Sequence, residues 1–223
     1  MAVVARSTSA LIASVAATVC FVVLRAFVAV GGHEPLAIDV WWHDLVVSST
    51  GDLWFVVAWV PAIVGGTLGM IVIGAALIAW LVWRKRGWDA AALAIAMVAV
   101  VAIGATMAAV IGRTRPADSL AESAATSFPS GHTAVATTVV VILALILRRG
   151  YVWALGAVWV VAMMWSRTYL HAHWLSDVVA GLLEGIAVAC MVWVCVDAAR
   201  ARRVSRNASA SPGGETIESS VTP

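Results

Sequence analysis

The stretch SGHTAVATTVVVILALILRRGYVWALGAVWVVAMMWSR (130–167) holds two long apolar runs separated by Arg148-Arg149-Gly150. Read as one continuous helix, it would bury two adjacent arginines at its centre, which is costly in a bilayer. Read as two helices near 131–147 and 151–167, it becomes a tight hairpin with both arginines at a membrane surface. Each run approaches the length of about 20 apolar residues that crosses a hydrocarbon core. The hairpin reading makes this chain a polytopic helical bundle.

Working outward, further spans are expected near 10–31, 60–83, 89–111 and 175–197. The fold class is therefore all-α, a six-transmembrane-helix bundle over residues 1–197. A tail over 198–223 follows, basic at first and then Ser/Gly/Pro-rich and disordered. The first run exceeds a signal-peptide core of about 7–15 residues and is read as a span. Arg25 lies within it, either snorkelling towards headgroups or facing the bundle interior. Residues 33–59 mix charges with tryptophans and read as interfacial helix or loop rather than a seventh span.

Composition agrees. The chain is 62% hydrophobic and 12% charged, whereas soluble domains are about half apolar and a quarter charged. A net charge of +2 gives no reason to expect a nucleic-acid partner. Cys20, Cys190 and Cys195 all lie in apolar runs, with neither a disulfide framework nor metal-ligand spacing. The Ala/Val/Arg-rich, lysine-poor composition points to a high-GC bacterium.

Arginine and lysine positions orient the bundle. Arg6, Arg84-Lys85-Arg86, Arg148-Arg149 and Arg200, Arg202, Arg203 and Arg206 fall on one side of the six-span arrangement. The positive-inside tendency makes that side, with both termini, cytoplasmic. Arg113, Arg115, Arg167 and all five histidines (His33, His43, His132, His171 and His173) fall on the other. A multi-pass protein of the cell membrane is expected, its active site at the extracytoplasmic end.

Three stretches meet there: GRTRPAD (112–118), SFPSGHTA (127–134) and WSRTYLHAHWLSD (165–177). Arginine offers planar, permanent donors for phosphate oxygens. Ser130 and Gly131, in a turn entering a helix, offer a hydroxyl and backbone N–H groups to an anion. His173 and Asp177 are four apart at a helix start, so they share a face. An aspartate so placed can orient an imidazole as a nucleophile. His132, from another segment, can protonate a leaving oxygen. Taken singly, each has a plainer reading: a solvated basic turn, a serine cap, two histidines at i and i+2 that do not face each other for a metal. Together, in this order and on this side, they form a set for phosphoryl transfer.

These residues resemble the type 2 phosphatidic acid phosphatase superfamily, integral-membrane lipid phosphatases related to vanadium haloperoxidases. The family signature is K-x6-R-P, then P-S-G-H, then S-R-x5-H-x3-D. Arg115-Pro116 fits the end of the first motif. Pro129-Ser130-Gly131-His132 fits the second, and Ser166-Arg167, His173 and Asp177 fit the third. The resemblance implies that His173 attacks phosphorus to form a phosphohistidine while Asp177 orients it. His132 would protonate the leaving group and then activate water, and Arg115, Arg167, Ser130 and Gly131 would hold the phosphate. It implies no metal and no cofactor.

One position departs from the pattern. Ala108 stands where the family has lysine, and Lys85, the sole lysine, is on the opposite side. Arg113 is the candidate replacement in the substrate-binding set. Glu184, seven residues beyond Asp177, points deeper into the bundle on the same face and is an intramembrane ionisable group of open role. The expected function is hydrolysis of a lipid phosphomonoester or diphosphate, of the undecaprenyl diphosphate, phosphatidic acid or phosphatidylglycerol phosphate type. The alternatives are lipid-linked phosphotransfer, or a non-catalytic lipid-binding or transport role.

Overall fold

The structure, a computed structural model, describes residues 2–49, 51–121 and 125–210. Of the tail expected over 198–223, the last residues, 211–223, lie outside them. Among the described residues eight helices succeed one another: α1 (Ala2–Val30), α2 (Ala37–Ser48), α3 (Asp52–Val64), α4 (Thr67–Trp83), α5 (Gly87–Ile111), α6 (Gly131–Leu147), α7 (Gly150–Tyr169) and α8 (Leu175–Ala210). Among the described residues the only β pairing is an isolated antiparallel bridge between Thr114 and Thr126. The all-helical expectation holds.

Among the described residues three helical stretches are long and apolar enough to cross a membrane: Ser7–Val30, Gly87–Ile111 and Leu175–Ser209. The span expected near 60–83 is two helices, α3 and α4, bent by 50° at Gly65-Gly66. That pair supplies a fourth crossing if it acts as one unit. The Arg148-Arg149 hairpin is present: α6 ends on Arg148 in the left-handed region (φ 57°) and α7 starts at Gly150. Residues 33–59 hold α2 and the first half of α3, so this region is helical and too short in each piece to cross alone. The basic stretch after 197 is not a separate tail at its start, because α8 continues unbroken to Ala210.

Local features mark two of the helix boundaries and the bend between α3 and α4. At the start of α2 the Asp39 side chain reaches back to the Leu36 N–H at 2.9 Å, satisfying a donor that the helix leaves open. Gly112 ends α5 in the left-handed conformation (φ 59°), which costs glycine little. Gly65 lets the bent helix touch α7: a Cβ there would come within 2.0 Å of Met163 Cε.

α8 is the central element and packs against α1, α5 and α6. In lipid, helices gain little from burying apolar surface and associate through close packing of small residues. The GLLEG stretch (181–185) provides such a surface. A Cβ on Gly181 would lie 2.5 Å from the Ser130 carbonyl, and one on Gly185 2.6 Å from the Ala134 carbonyl. This approach brings the Ser130 N–H to the Asp177 carbonyl at 3.0 Å, joining two of the motif segments through their backbones. Large apolar side chains such as Val15, Phe27, Leu68 and Val158 remain exposed around the outside, as a lipid-facing surface requires.

The early part of α1 and the later part of α8 meet at the end of the bundle opposite the motifs. Ser7 donates to Asp197 at 3.0 Å, and Arg86 bonds Asp89 at 2.6 Å and the Ile146 carbonyl at 3.1 Å. Gly181→Ala should therefore lower the thermal midpoint in detergent, at an overpacking cost of about 1–3 kcal/mol. Gly87→Ala, with nothing within 4 Å of its added Cβ, should leave the midpoint unchanged or raise it.

Candidate functional site

The three motif segments converge where α5 ends and α6 and α8 begin. Ser127 ties the first two together: its N–H donates to the Arg113 carbonyl at 2.8 Å and its hydroxyl to the Thr114 carbonyl at 3.2 Å. The Trp174 indole donates to the same Thr114 carbonyl at 3.0 Å, bringing in the third.

Beneath this junction lies Arg113, fully buried. Its Nε donates to the His33 carbonyl at 3.3 Å. Its Nη1 donates to Ser176 Oγ (2.7 Å) and Asp177 Oδ1 (2.6 Å), and its Nη2 to the Glu34 carbonyl (3.1 Å) and Asp39 Oδ2 (2.7 Å). A guanidinium carries five N–H donors, and all five are used. Arg113 therefore has none left for a phosphate, and the expectation that it replaces the missing lysine as a substrate-binding cation does not fit this geometry. It is a buried support for Asp177. The position of Ala108, in the last turn of α5, has no cationic substitute from Arg113.

Asp39 is the functional-site residue that sequence reasoning missed. It is buried on α2 and accepts four hydrogen bonds: from Arg113, from the Ser176 hydroxyl and N–H at 2.7 Å each, and from the Leu36 N–H. An acidic residue three positions into a helix reads as a cap, so nothing in the sequence distinguished this second role.

His173 sits in the turn between α7 and α8, buried. Its Nδ1 is 2.7 Å from the Ser127 carbonyl oxygen. A carbonyl can only accept, so Nδ1 carries the hydrogen and the lone pair of the neutral ring lies on Nε2. Asp177 was expected to hold this ring, yet its Oδ2 is 3.8 Å from Nδ1 and bonds the Trp174 N–H at 2.9 Å. The orienting hydrogen bond is to Ser127, with Asp177 close behind as a negative charge. Burial, the largest influence, holds the His173 pKa below the ordinary imidazole value against the pull of Asp177, and the positive charges of Arg115 and Arg167 act with burial.

Nε2 faces Arg115, whose Nη1 is 3.3 Å away and also bonds the Ala172 carbonyl. Arg167 is buried near the end of α7. Ser166, next to it, donates to the Ala58 carbonyl at 2.5 Å and so ties α7 to α3. Ser130 occupies the N-cap position of α6 without a side-chain cap hydrogen bond, its hydroxyl 3.2 Å from that of Thr133, and Gly131 follows, exposed at the helix entry. His132 is half-buried in the first turn of α6, and its Nε2 lies 3.7 Å from where a Cβ on Gly66 would be, beside the α3–α4 bend.

Deeper in the bundle, Glu184 is buried opposite Gly104 of α5, and its carboxylate oxygens have no hydrogen-bond partner among the described residues. Half-buried Arg25 likewise leaves its Nε without one.

A family model described as the PAP2 superfamily matches residues 89–201, about half of the chain. A curated relative, an undecaprenyl-diphosphatase of Sulfolobus acidocaldarius, is 41% identical over 59 residues, which is 26% of this chain. The chain spans about a quarter (28%) of that relative's length. Among solved structures, it resembles the transmembrane PAP2-type phosphatidylglycerolphosphate phosphatase from Bacillus subtilis. There the TM-score is 0.73 at 21% identity, covering 83% of this chain and 96% of that one. Aquifex aeolicus LpxE matches with a TM-score of 0.63 at 22% identity, over 72% of this chain and 97% of that one. At these identities the two structures establish the fold.

Removing Arg113 would leave two buried carboxylates without their shared cation. Arg113→Ala should destabilise the protein by about 3–5 kcal/mol, read as a lowered unfolding midpoint in detergent. A variant as stable as the parent would contradict the supporting role.

Proposed function

The chain belongs to the PAP2 superfamily, and from that membership we propose that it is an integral-membrane phosphatase removing a terminal phosphate from a lipid phosphate or diphosphate. The observation that carries the reading is the His173 ring, buried and hydrogen-bonded at Nδ1 to the Ser127 carbonyl, with Nε2 turned to Arg115.

In the first step, the Nε2 lone pair attacks phosphorus in line with the leaving oxygen. A P–N bond forms and the P–O bond breaks, while His132, protonated, gives its proton to the departing alkoxide or phosphate oxygen. In the second step His132, now neutral, takes a proton from water as that water attacks phosphorus, the P–N bond breaks and inorganic phosphate leaves. Arg115, Arg167, Ser130 and the backbone N–H groups at Gly131 stabilise charge developing on the phosphoryl oxygens. Asp177, anchored by Arg113, favours the imidazolium character that grows at His173 during attack.

Six crossings are our reading of the bundle, with α6 and α7 as the remaining two beside the bent α3–α4 pair. At 17 residues and 1.5 Å per residue, α6 is ~26 Å long, close to a hydrocarbon core of about 30 Å. The site sits at the end away from Arg86, Arg148 and Arg200, which supports an extracytoplasmic active site and cytoplasmic termini by the positive-inside tendency. The likeness to a phosphatidylglycerolphosphate phosphatase and to an undecaprenyl-diphosphatase supports a lipid substrate of one of those types, with phosphatidic acid the third candidate.

Rapid acid-free quenching with lipid labelled at its terminal phosphate tests the chemistry. The chain should carry a base-stable, acid-labile label that is absent in His173→Ala, and His132→Ala should turn over about 10²–10⁴-fold more slowly. Undiminished turnover in His173→Ala would overturn the nucleophile. Label appearing on an added lipid alcohol instead of as inorganic phosphate would make the enzyme a phosphotransferase.

A further inference from the structure

His171 and His173 stand two residues apart in the turn between α7 and α8, yet they serve different neighbourhoods. His173 turns to Ser127, whereas His171 meets His43 of α2 and Asp118 of the loop that follows α5. Asp118 Oδ2 lies 2.7 Å from His171 Nδ1 and 3.2 Å from His43 Nε2. One ligating atom from each residue falls within 4.8 Å of the other two. The imidazole rings are 4.8 Å apart at 60° to one another, and Trp174 backs His43 at 5.5 Å.

Two details separate this cluster from an ordinary surface ion pair. His171 is only 6% exposed, yet neither of its ring nitrogens has a hydrogen-bond partner among the described residues. Asp118 Oδ2 approaches Nδ1 closely but out of hydrogen-bonding alignment. A buried polar group normally finds an aligned partner. Its backbone, moreover, takes φ 53°, a left-handed conformation uncommon for a residue with a side chain. One carboxylate oxygen thus faces two imidazoles, and the more buried of the two is left unsatisfied.

We propose that His43, Asp118 and His171 bind one divalent transition-metal ion of the zinc class. Two imidazoles and a carboxylate suit that class, and tetrahedral bonds of about 2.0–2.1 Å set ligand atoms about 3.3 Å apart, inside the range from 2.7 Å to 4.8 Å over which the three atoms are spread before any ion draws them together. The fourth position is open to solvent, because Asp118 is half-exposed and a groove of about 380 Å³ lined by Asp52, Phe55 and Tyr169 adjoins His171. The ligands come from α2, from the loop that carries Arg115, and from the turn that carries His173. A bound ion would pin all three segments at the rim of the phosphate site. Its place there is positional, and no step of the phosphoryl transfer runs through it.

The full chain, purified in detergent and stripped of metal, is titrated with Co²⁺ and followed by visible absorption, with Zn²⁺ in competition. One equivalent of Co²⁺ should produce the intense d–d bands of a low-coordinate site, Zn²⁺ should abolish them, and Zn²⁺ should raise the unfolding midpoint. His43→Gln, Asp118→Asn and His171→Gln should each weaken binding about tenfold or more, while His33→Gln leaves it unchanged. The His43 and Asp118 variants alter partly exposed side chains, so they remain informative if His171→Gln folds poorly. Absence of stoichiometric binding, or binding retained in the His43 and Asp118 variants, overturns the site. This outcome is independent of phosphatase activity.

Discussion

Everything at the working end of this bundle hangs on a guanidinium that never meets solvent. Arg113 gives its five donors to two carboxylates, a serine and two backbone carbonyls, and those acceptors come from α2, α8 and the turn after α1. A buried charge survives only when it is paired and its donors are satisfied. Here satisfaction requires that several segments be in register at once. Any slippage of α2 or of the α8 start would strand Arg113, Asp39 or Asp177 in a dry interior, so the network selects one arrangement of the rim.

That arrangement sets the chemistry two layers up. Arg113 and the Trp174 N–H claim Asp177, which leaves His173 to the Ser127 carbonyl. Ser127 in turn is fixed by bonds to the backbone of Arg113 and Thr114. The same residue that neutralises the carboxylates therefore also positions the group that assigns the imidazole tautomer. Small residues do the corresponding work between helices: Gly181 and Gly185 let α6 approach α8 until the Ser130 N–H reaches the Asp177 carbonyl. The geometry of the candidate site and the helix packing share these contacts.

Much of this was legible in the sequence, because chemistry that needs particular side chains at particular spacings leaves a pattern. The Arg148-Arg149 break, the convergence of the three motif stretches and the membership of His173, Asp177, Arg115 and Ser130 in one cluster could all be read that way. The roles within the cluster could not. Spacing places Asp177 on the face of His173 but says nothing of a backbone carbonyl that outcompetes it, since Ser127 contributes no side-chain signal to that bond. Charge alone made Arg113 a phosphate ligand; only burial reveals it as a strut. Asp39 and the His43–Asp118–His171 cluster depend on contacts between residues far apart in the chain. The Gly65-Gly66 bend was hidden by hydropathy, which continues smoothly through it.

The most direct test of this account is the tautomer of His173, read by nitrogen NMR on histidine-labelled protein with His173→Gln for assignment. The structure requires the hydrogen on Nδ1 and a bare Nε2 in the neutral ring, with Nδ1 keeping its hydrogen bond to Ser127. A neutral ring protonated at Nε2 would remove from the side facing Arg115 the lone pair that the proposed attack on phosphorus uses, and would contradict the account at its centre.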